Sequence, residues 1–185
     1  WMMRTQQTRA RLFLPLLRLM DACKVTPDHI TLLSLLSGLA FCPLYFYHPP
    51  TAFALLALHV FLDGFDGPLA RHLGVDSPKG SFTDSMADQT VIIATTITLM
   101  YNGTIGVVPG ALYTITYTIV VFFAIARNVL KDPYSWLVRP RFYIYLWFVV
   151  ETYWLPETIN YLLWFFTVVL TLKVLTGFLG IRRNM

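Results

Sequence analysis

Long apolar segments recur along this chain of 185 residues, and they constrain its fold more than any other feature. A helix needs roughly 20 mostly apolar residues to cross the hydrocarbon core of a bilayer. Polar residues and turn-forming Pro, Gly and Asn separate segments of about that length. They predict six membrane-spanning helices, at residues 29–47, 52–71, 81–101, 107–127, 142–155 and 158–179. We therefore expect an all-α integral membrane protein.

The composition excludes several other classes of protein. Hydrophobic residues make up 56% of the chain and charged residues only 13%, which is about half the charged share of a soluble domain. The net charge of +4 is not concentrated in a basic tract, and this argues against nucleic-acid binding. The two cysteines, Cys23 and Cys42, are too few for a disulfide framework.

The basic residues predict how the chain is oriented in the membrane. Thirteen of the fourteen lysines and arginines lie before the first segment, after the last, or at the two loops on that same side. Cytoplasmic loops carry such an excess, so both termini are expected in the cytoplasm. We predict one membrane domain over 1–185. Residues 1–27 mix arginines with apolar residues at helical spacing, which predicts an amphipathic interfacial helix before a six-helix bundle at 28–185.

Four aspartates lie inside the second and third segments, where ionisable side chains are costly and usually functional. Asp63 and Asp66 are spaced i,i+3, and Asp84 and Asp88 i,i+4, so each pair shares one helix face. The two helices run antiparallel, which places Asp63 level with Asp88 and Asp66 level with Asp84. Four carboxylates in one apolar site repel one another unless a cation joins them. Oxygen ligands favour Mg²⁺ or Mn²⁺ over zinc.

Small residues and two histidines flank the aspartates. Gly64 and Gly67 allow close helix packing, and a glycine beside a metal also leaves room for a bulky phosphate. His59 lies one turn deeper than the aspartates and His72 lies in the loop. We interpret both histidines as lining or interfacial residues, and the metal ligands as the carboxylates.

Eight residues of the second and third segments stand at the spacing of a known signature. They are Asp63, Asp66, Gly67, Ala70, Arg71, Gly80, Asp84 and Asp88. At every fixed position this pattern resembles the signature of the CDP-alcohol phosphotransferases, also called CDP-alcohol phosphatidyltransferases. These are integral membrane enzymes of phospholipid synthesis. Six spans with an amphipathic N-terminal helix also resemble the short members of that family.

The resemblance implies a reaction, its cofactors and the residues that carry it. An acceptor hydroxyl would attack the β-phosphoryl group of CDP-diacylglycerol or a soluble CDP-alcohol, releasing CMP at a site with two divalent ions, Mg²⁺ or Mn²⁺. The family also favours a homodimer. By position, Asp88 would be the general base, and the metal ligands would be Asp63, Asp66, Asp84 and Asp88. The nucleotide pocket would be lined by Gly67, Ala70, Arg71 and Gly80.

The signature leaves the acceptor alcohol open. Five basic residues near the cytoplasmic ends of the last three segments are candidates for binding an acceptor phosphate: Arg127, Lys131, Arg139, Arg141 and Lys173. Cations at helix ends also serve as interfacial anchors. We favour a phosphorylated polyol of the glycerol 3-phosphate or inositol 1-phosphate type. A free alcohol such as serine, choline or inositol, and a lipid alcohol such as phosphatidylglycerol, are the alternatives.

Two acidic residues do not follow from the signature. The segment Thr26-Pro27-Asp28 resembles the start of the family's first helix, except that Asp28 stands where Asn is usual. Asp is also a competent helix N-cap, which is one interpretation of position 28. Glu151, in the outer half of the fifth segment, has no assigned partner.

Two other classes of protein fit part of this pattern. A cation channel or transporter also carries carboxylates inside the membrane, but here all four lie in the cytoplasmic half, and the outer half offers no matching polar path. A non-catalytic assembly subunit is the other alternative, and the intact signature argues against it. CMP release that depends on a divalent metal would distinguish the enzyme from both.

Overall fold

The computed structural model describes residues 16–129 and 140–184. A short helical segment at 16–22 precedes six helices: α1 (Pro27–Tyr47), α2 (Pro49–His72), α3 (Pro78–Tyr101), α4 (Val107–Val129), α5 (Arg141–Tyr153) and α6 (Ile159–Asn184). Over these two ranges the chain contains no strand, so the predicted all-α fold is confirmed.

Four of the six helices, α1, α2, α4 and α6, are long and apolar enough to cross a membrane. Helix α3 has 24 residues but carries the polar side chains of Asp84, Asp88 and Gln89, and α5 has only 13 residues. The four long apolar helices identify the chain as an integral membrane protein. Because α3 and α5 do not meet the same criterion, the count of six spans stays a prediction. The six helices begin and end within about four residues of the predicted segments except at the C-terminal end of α6, which continues to Asn184.

Capping residues set the start of α1. The Thr26 hydroxyl accepts a hydrogen bond from the His29 backbone N–H at 3.3 Å, and the Thr26 N–H donates to His29 Nδ1 at 3.3 Å. Pro27 follows at the first helical position, where its missing N–H costs nothing. The interpretation of Asp28 as the helix cap is wrong, because Thr26 is the cap. Asp28 lies in the first turn, where a negative charge suits the positive end of the helix dipole.

The helices pack through a continuous core. Helix α1 packs along α2 and α3, α4 packs along α6, and α5 lies between the two groups, touching α2 and α6. The largest fully buried side chains of this core come from α1, α3, α4, α5 and α6, and include Phe41, Ile92, Leu99, Tyr113, Ile144, Phe148, Leu163 and Leu170. Lipid is as apolar as these side chains, so helices in a membrane associate mainly through close packing.

Gly38 lies where α1 packs closely against α2 and α3. A Cβ atom built there would lie 2.6 Å from both γ-carbons of Val91 on α3 and 3.2 Å from Cγ of His59 on α2. Those distances are too short for any side chain larger than hydrogen. Glycine at position 38 therefore lets α1, α2 and α3 meet at one level, just beyond the aspartates.

The short segment at 16–22 packs against the end of the bundle where α2 ends and α3 begins, which we call the carboxylate end. Leu17 is 1% exposed and packs in a cluster with Ile30, Leu62, Phe65 and Leu69. On the same helical segment, the charged residues Arg18 and Asp21 are exposed. Residues 16–22 thus have the two-faced character predicted for the N-terminal helix, and residues 1–15 lie outside the described part of the chain.

The partner of Glu151 is the beginning of α6. Glu151 is 5% exposed, and one carboxylate oxygen accepts from the Ile159 N–H at 2.8 Å and from the Thr158 hydroxyl at 3.1 Å. The other oxygen accepts from the backbone N–H of Glu157. These donors include backbone N–H groups at the start of a helix, which have no partner within the helix itself. Glu151 therefore holds the turn between α5 and α6.

We expect Glu151→Gln to lower the free energy of unfolding by about 1–3 kcal/mol, because the amide replaces one acceptor oxygen with an N–H₂ group that faces other donors. Thermal unfolding of the purified protein in detergent, followed by tryptophan fluorescence, measures the change. Glu157→Gln is the matched control, since that side chain is exposed and its backbone N–H is kept. Equal unfolding temperatures for the two variants would contradict this role of Glu151.

Candidate active site

The four aspartates of the signature lie on two facing helices, α2 and α3. One carboxylate oxygen from each of Asp63, Asp66 and Asp84 lies within 4.8 Å of the other two. Asp66 is buried, and Asp63 and Asp84 are partly exposed. Three carboxylate oxygens this close form a donor set that suits a hard divalent cation, because such ions bind oxygen ligands and neutralise their mutual repulsion. The cluster fits the divalent metal that the resemblance implies.

Asp88 joins this cluster through Arg141, the first residue of α5. Arg141 Nη2 donates to Asp63 Oδ2 at 2.6 Å, and Arg141 Nη1 is paired with Asp88 Oδ2. Arg141 is 6% exposed, and its guanidinium lies 4.8 Å from the ring centre of Phe142. Asp63 and Asp88 thus share one guanidinium, which agrees with the expected register of α2 against α3.

A buried histidine forms the deeper wall of the site. His59 is 2% exposed, and its Nδ1 lies 2.8 Å from the Ser34 hydroxyl on α1. Its Nε2 lies 3.9 Å from a carboxylate oxygen of Asp88. The ring packs edge-to-face on Tyr145 of α5, with centroids 6.2 Å apart. His59 on α2 therefore contacts α1, α3 and α5 directly behind Asp88. Its position in the sequence did not reveal these contacts.

Thr31 on α1 brings a third helix to the aspartates. Its hydroxyl lies 3.3 Å from Asp66 Oδ2 and 3.2 Å from the Pro27 carbonyl oxygen, so its proton is shared between two acceptors. The backbone N–H of Gly67 also donates to the Asp66 carboxylate. Asp66 is thus oriented by both α1 and its own helix.

A groove between α1 and α3 adjoins the aspartates. Its volume is about 320 Å³, and its walls include Thr31, Leu35, Met86 and Ala87, with Asp28 also on its lining. This volume is in the lower range of small-molecule sites. Because Thr31 also bonds to Asp66, the groove and the carboxylate cluster share a wall.

The predicted nucleotide residues lie on both sides of the loop between α2 and α3. Gly67, Ala70 and Arg71 are in the last two turns of α2, and Arg71 is exposed. A Cβ atom at Gly67 would lie 3.4 Å from Arg71 Nη1, so this guanidinium extends back over Gly67. Gly80 is in the first turn of α3, where its N–H donates to the Ser77 hydroxyl at 3.1 Å.

The described members of the predicted acceptor group lie in two places. Arg127 is in the last turn of α4 and lies against α6, where a Cβ atom at Gly180 would be 2.9 Å from Arg127 Nη1. Lys173 of α6 is 6% exposed and is close enough to Arg127 for the two charges to interact. Arg141 lies between Asp63 and Asp88 as described above. Lys131 and Arg139 fall outside the described residues.

Three residues of the site were not found by sequence reasoning as functional groups: Thr31, Ser34 and His59. Thr31 and Ser34 lie on α1, outside the signature, and Thr and Ser are common in membrane helices as packing residues. Their one local signal is a spacing of three residues, which puts both hydroxyls on the same face of α1. That spacing does not show which helix the two hydroxyls face.

A family model described as CDP-alcohol phosphatidyltransferase matches residues 24–179. A CDP-diacylglycerol--serine O-phosphatidyltransferase of Mycobacterium leprae is 33% identical over 112 residues, which are 59% of this chain and 37% of the relative. An archaetidylinositol phosphate synthase of Aeropyrum pernix is 44% identical over 64 residues, which are 34% of this chain and 33% of that protein. The matched region thus spans little more than a third of these relatives.

One solved structure has the same fold. It is a crystal structure of Mycobacterium tuberculosis phosphatidylinositol phosphate synthase with CDP-DAG bound, and it superimposes with a TM-score of 0.76. The superposition covers 92% of this chain and 94% of that one, at 18% sequence identity. At this level of identity the similarity establishes the arrangement of the helices.

We expect Thr31→Val to weaken Mn²⁺ binding by roughly tenfold, because loss of a partner that orients a metal ligand has effects of that size. Valine keeps the shape of threonine and removes the hydroxyl that Asp66 and the Pro27 carbonyl share. The control is Thr83→Val on the opposite wall of the groove, whose hydroxyl bonds to the Lys79 carbonyl. Calorimetric titration of the purified protein measures both affinities, and unchanged binding in Thr31→Val would refute the orienting role.

Proposed function

The chain belongs to the CDP-alcohol phosphatidyltransferase family, and we propose that it transfers a phosphatidyl group from a CDP-linked donor to an alcohol, releasing CMP. The proposed donor is CDP-diacylglycerol. The observation that carries this proposal is the meeting of the signature aspartates, with Asp63, Asp66 and Asp84 within 4.8 Å of one another at one end of α2 and α3. The relatives' names support the same class of reaction.

The carboxylates of this cluster would hold two divalent ions, Mg²⁺ or Mn²⁺. The proposed ligands are Asp63, Asp66, Asp84 and Asp88. Bound divalent ions supply charge that neutralises a diphosphate and stabilises the departing CMP. Support for this assignment comes from the all-oxygen donor set and from the Thr31 and Gly67 donors that orient Asp66.

The protein's own residues bind the donor and accept the proton. Asp88 is the proposed general base, which takes the proton from the acceptor hydroxyl as that oxygen attacks the β-phosphorus. The Arg71 guanidinium, which lies over Gly67, would bind donor phosphate, because arginine pairs with phosphate oxygens through two parallel hydrogen bonds. Gly67, Ala70 and Gly80 have little or no side chain, and this leaves room for the nucleotide.

The proposed acceptor is a phosphorylated polyol of the glycerol 3-phosphate or inositol 1-phosphate type. Its support is the proximity of Arg127 and Lys173, which places two cations of the proposed group together, and two nearby cations attract a phosphate. Arg141, together with Lys131 and Arg139, belongs to the same proposed group. The names of the relatives differ, with serine in one and phosphatidylinositol phosphate in another, so they do not select between the acceptor classes.

The proposal includes the arrangement in the membrane. Both termini and the carboxylate end would face the cytoplasm, because thirteen of the fourteen basic residues lie at that end of the predicted segments. The chain would act as one domain over residues 1–185. The family resemblance supports a homodimer.

Asp88→Asn should lower the rate of metal-dependent CMP release by about 100-fold or more, since the amide cannot take the acceptor proton. The assay offers radiolabelled CDP-diacylglycerol and an acceptor panel to purified protein in detergent, with Mg²⁺ added or chelated. Asp76→Asn, an exposed carboxylate in the loop between α2 and α3, is the matched control and should keep wild-type activity. If the wild-type protein moves cations across liposomes while releasing no CMP, the enzyme proposal fails and the transporter alternative stands.

Lys173→Gln should raise the KM for a phosphorylated acceptor by roughly tenfold, the size expected for one charge-assisted hydrogen bond. The KM for the CDP-linked donor should stay unchanged. Arg182→Gln removes an exposed charge from the same helix and is the control. If serine or another free alcohol is the only acceptor consumed, the phosphorylated-acceptor proposal is wrong while the phosphatidyl transfer itself stands.

A further inference from the structure

Arg141 occupies an unusual position for an arginine. It begins α5, is 6% exposed, and bridges two carboxylates that belong to different helices, Asp63 of α2 and Asp88 of α3. Its Nε is buried and has no hydrogen-bond partner within the described part of the protein. The guanidinium therefore uses only its two terminal nitrogens, and both are directed at proposed metal ligands.

The positive charge of Arg141 compensates the negative charges of Asp63 and Asp88. The N-terminus of a helix carries a partial positive charge, so the start of α5 adds to the positive potential at Asp63 and Asp88. A buried carboxylate without a partner is strongly destabilising, and two of them next to each other are more so. Arg141 removes this cost without any bound ion.

A divalent ion held by Asp63 and Asp88 would bind carboxylates that Arg141 already engages. Arg141 is paired with Asp63 Oδ2 and with Asp88 Oδ2. Asp63 also contributes an oxygen to the cluster with Asp66 and Asp84. An ion bound by Asp66 and Asp84 leaves the Arg141 guanidinium in place. An ion bound by Asp63 and Asp88 instead competes with that guanidinium for the two carboxylates.

We propose that Arg141 and a divalent ion compete for Asp63 and Asp88, so that Arg141 serves as the internal counter-ion of the site until the second ion binds. Ion binding then displaces the guanidinium from both carboxylates. The displaced guanidinium becomes available to an anionic acceptor, which would couple metal loading to acceptor binding. This inference rests on the proposed function, because it requires these carboxylates to bind metal.

The test compares Mn²⁺ binding to the full-length wild-type protein and to Arg141→Gln, purified in detergent and followed by the electron paramagnetic resonance signal of free Mn²⁺. Wild-type protein is expected to bind one ion more tightly than the other. In Arg141→Gln the weaker ion should bind about tenfold more tightly, because the competing charge is gone. Arg141→Lys, which keeps the charge but reaches only one carboxylate at a time, should show an intermediate affinity.

The control separates direct competition from the loss of any nearby positive charge. Arg71→Gln removes the same charge from the end of α2. Among the described residues no ion pair joins Arg71 to an aspartate. Its Mn²⁺ affinity should change by less than about threefold, as expected for an exposed charge that water screens. An equal tightening in Arg71→Gln and Arg141→Gln would overturn the inference.

The Mn²⁺ dependence of thermal unfolding supplies a second readout, because loss of a purely structural arginine would lower the unfolding temperature equally with and without Mn²⁺. Arg141→Gln should unfold at a lower temperature than the wild-type protein without Mn²⁺, and the difference should close at saturating Mn²⁺. A deficit of the same size with and without Mn²⁺ would overturn the inference and leave the proposed function intact. If wild-type protein binds no Mn²⁺ at all, the proposed metal site fails together with the inference.

Discussion

The ion bridge from Arg141 to Asp63 and Asp88 is the interaction on which the carboxylate end of the bundle depends. Acidic side chains within membrane helices are tolerated only where a counter-charge or water neutralises them. Here the counter-charge comes from a third helix, so the positions of α2, α3 and α5 are tied together by charge. The aspartates can then face one another at a spacing that suits a metal ion.

Close packing of α1 supports this arrangement from the other side. The absence of a side chain at Gly38 allows α1 to contact Val91 and His59 directly. That contact brings Ser34 within 2.8 Å of His59 and Thr31 within 3.3 Å of Asp66. A helix that contributes no residue to the signature therefore orients two of the groups around it. The opposite end of the bundle is held in a comparable way, by the contacts of Glu151 with the start of α6.

Much of the fold and part of the site could be predicted from local patterns. The helix boundaries were predicted from apolar length and from the turn-forming Pro, Gly and Asn between the segments, which are local signals. The grouping of Asp63 and Asp66 on one face followed from helical spacing. The interpretation of Asp28 as a cap was wrong, because Thr26 and Asp28 are both competent caps two residues apart, and the hydrogen bond to His29 selects Thr26.

The sequence by itself determined that the chain is an all-α membrane protein, and that four aspartates at the spacing of a known signature lie on two of its helices. Both properties are local, since they depend on residue type and on the period of the helix. Only the tertiary structure decided which residues meet those aspartates. Arg141 lies 78 positions from Asp63, and Ser34 lies 25 positions from His59. Such contacts depend on how each helix is rotated and tilted against its neighbours. Packing at residues such as Gly38 sets that rotation, and no local spacing encodes it.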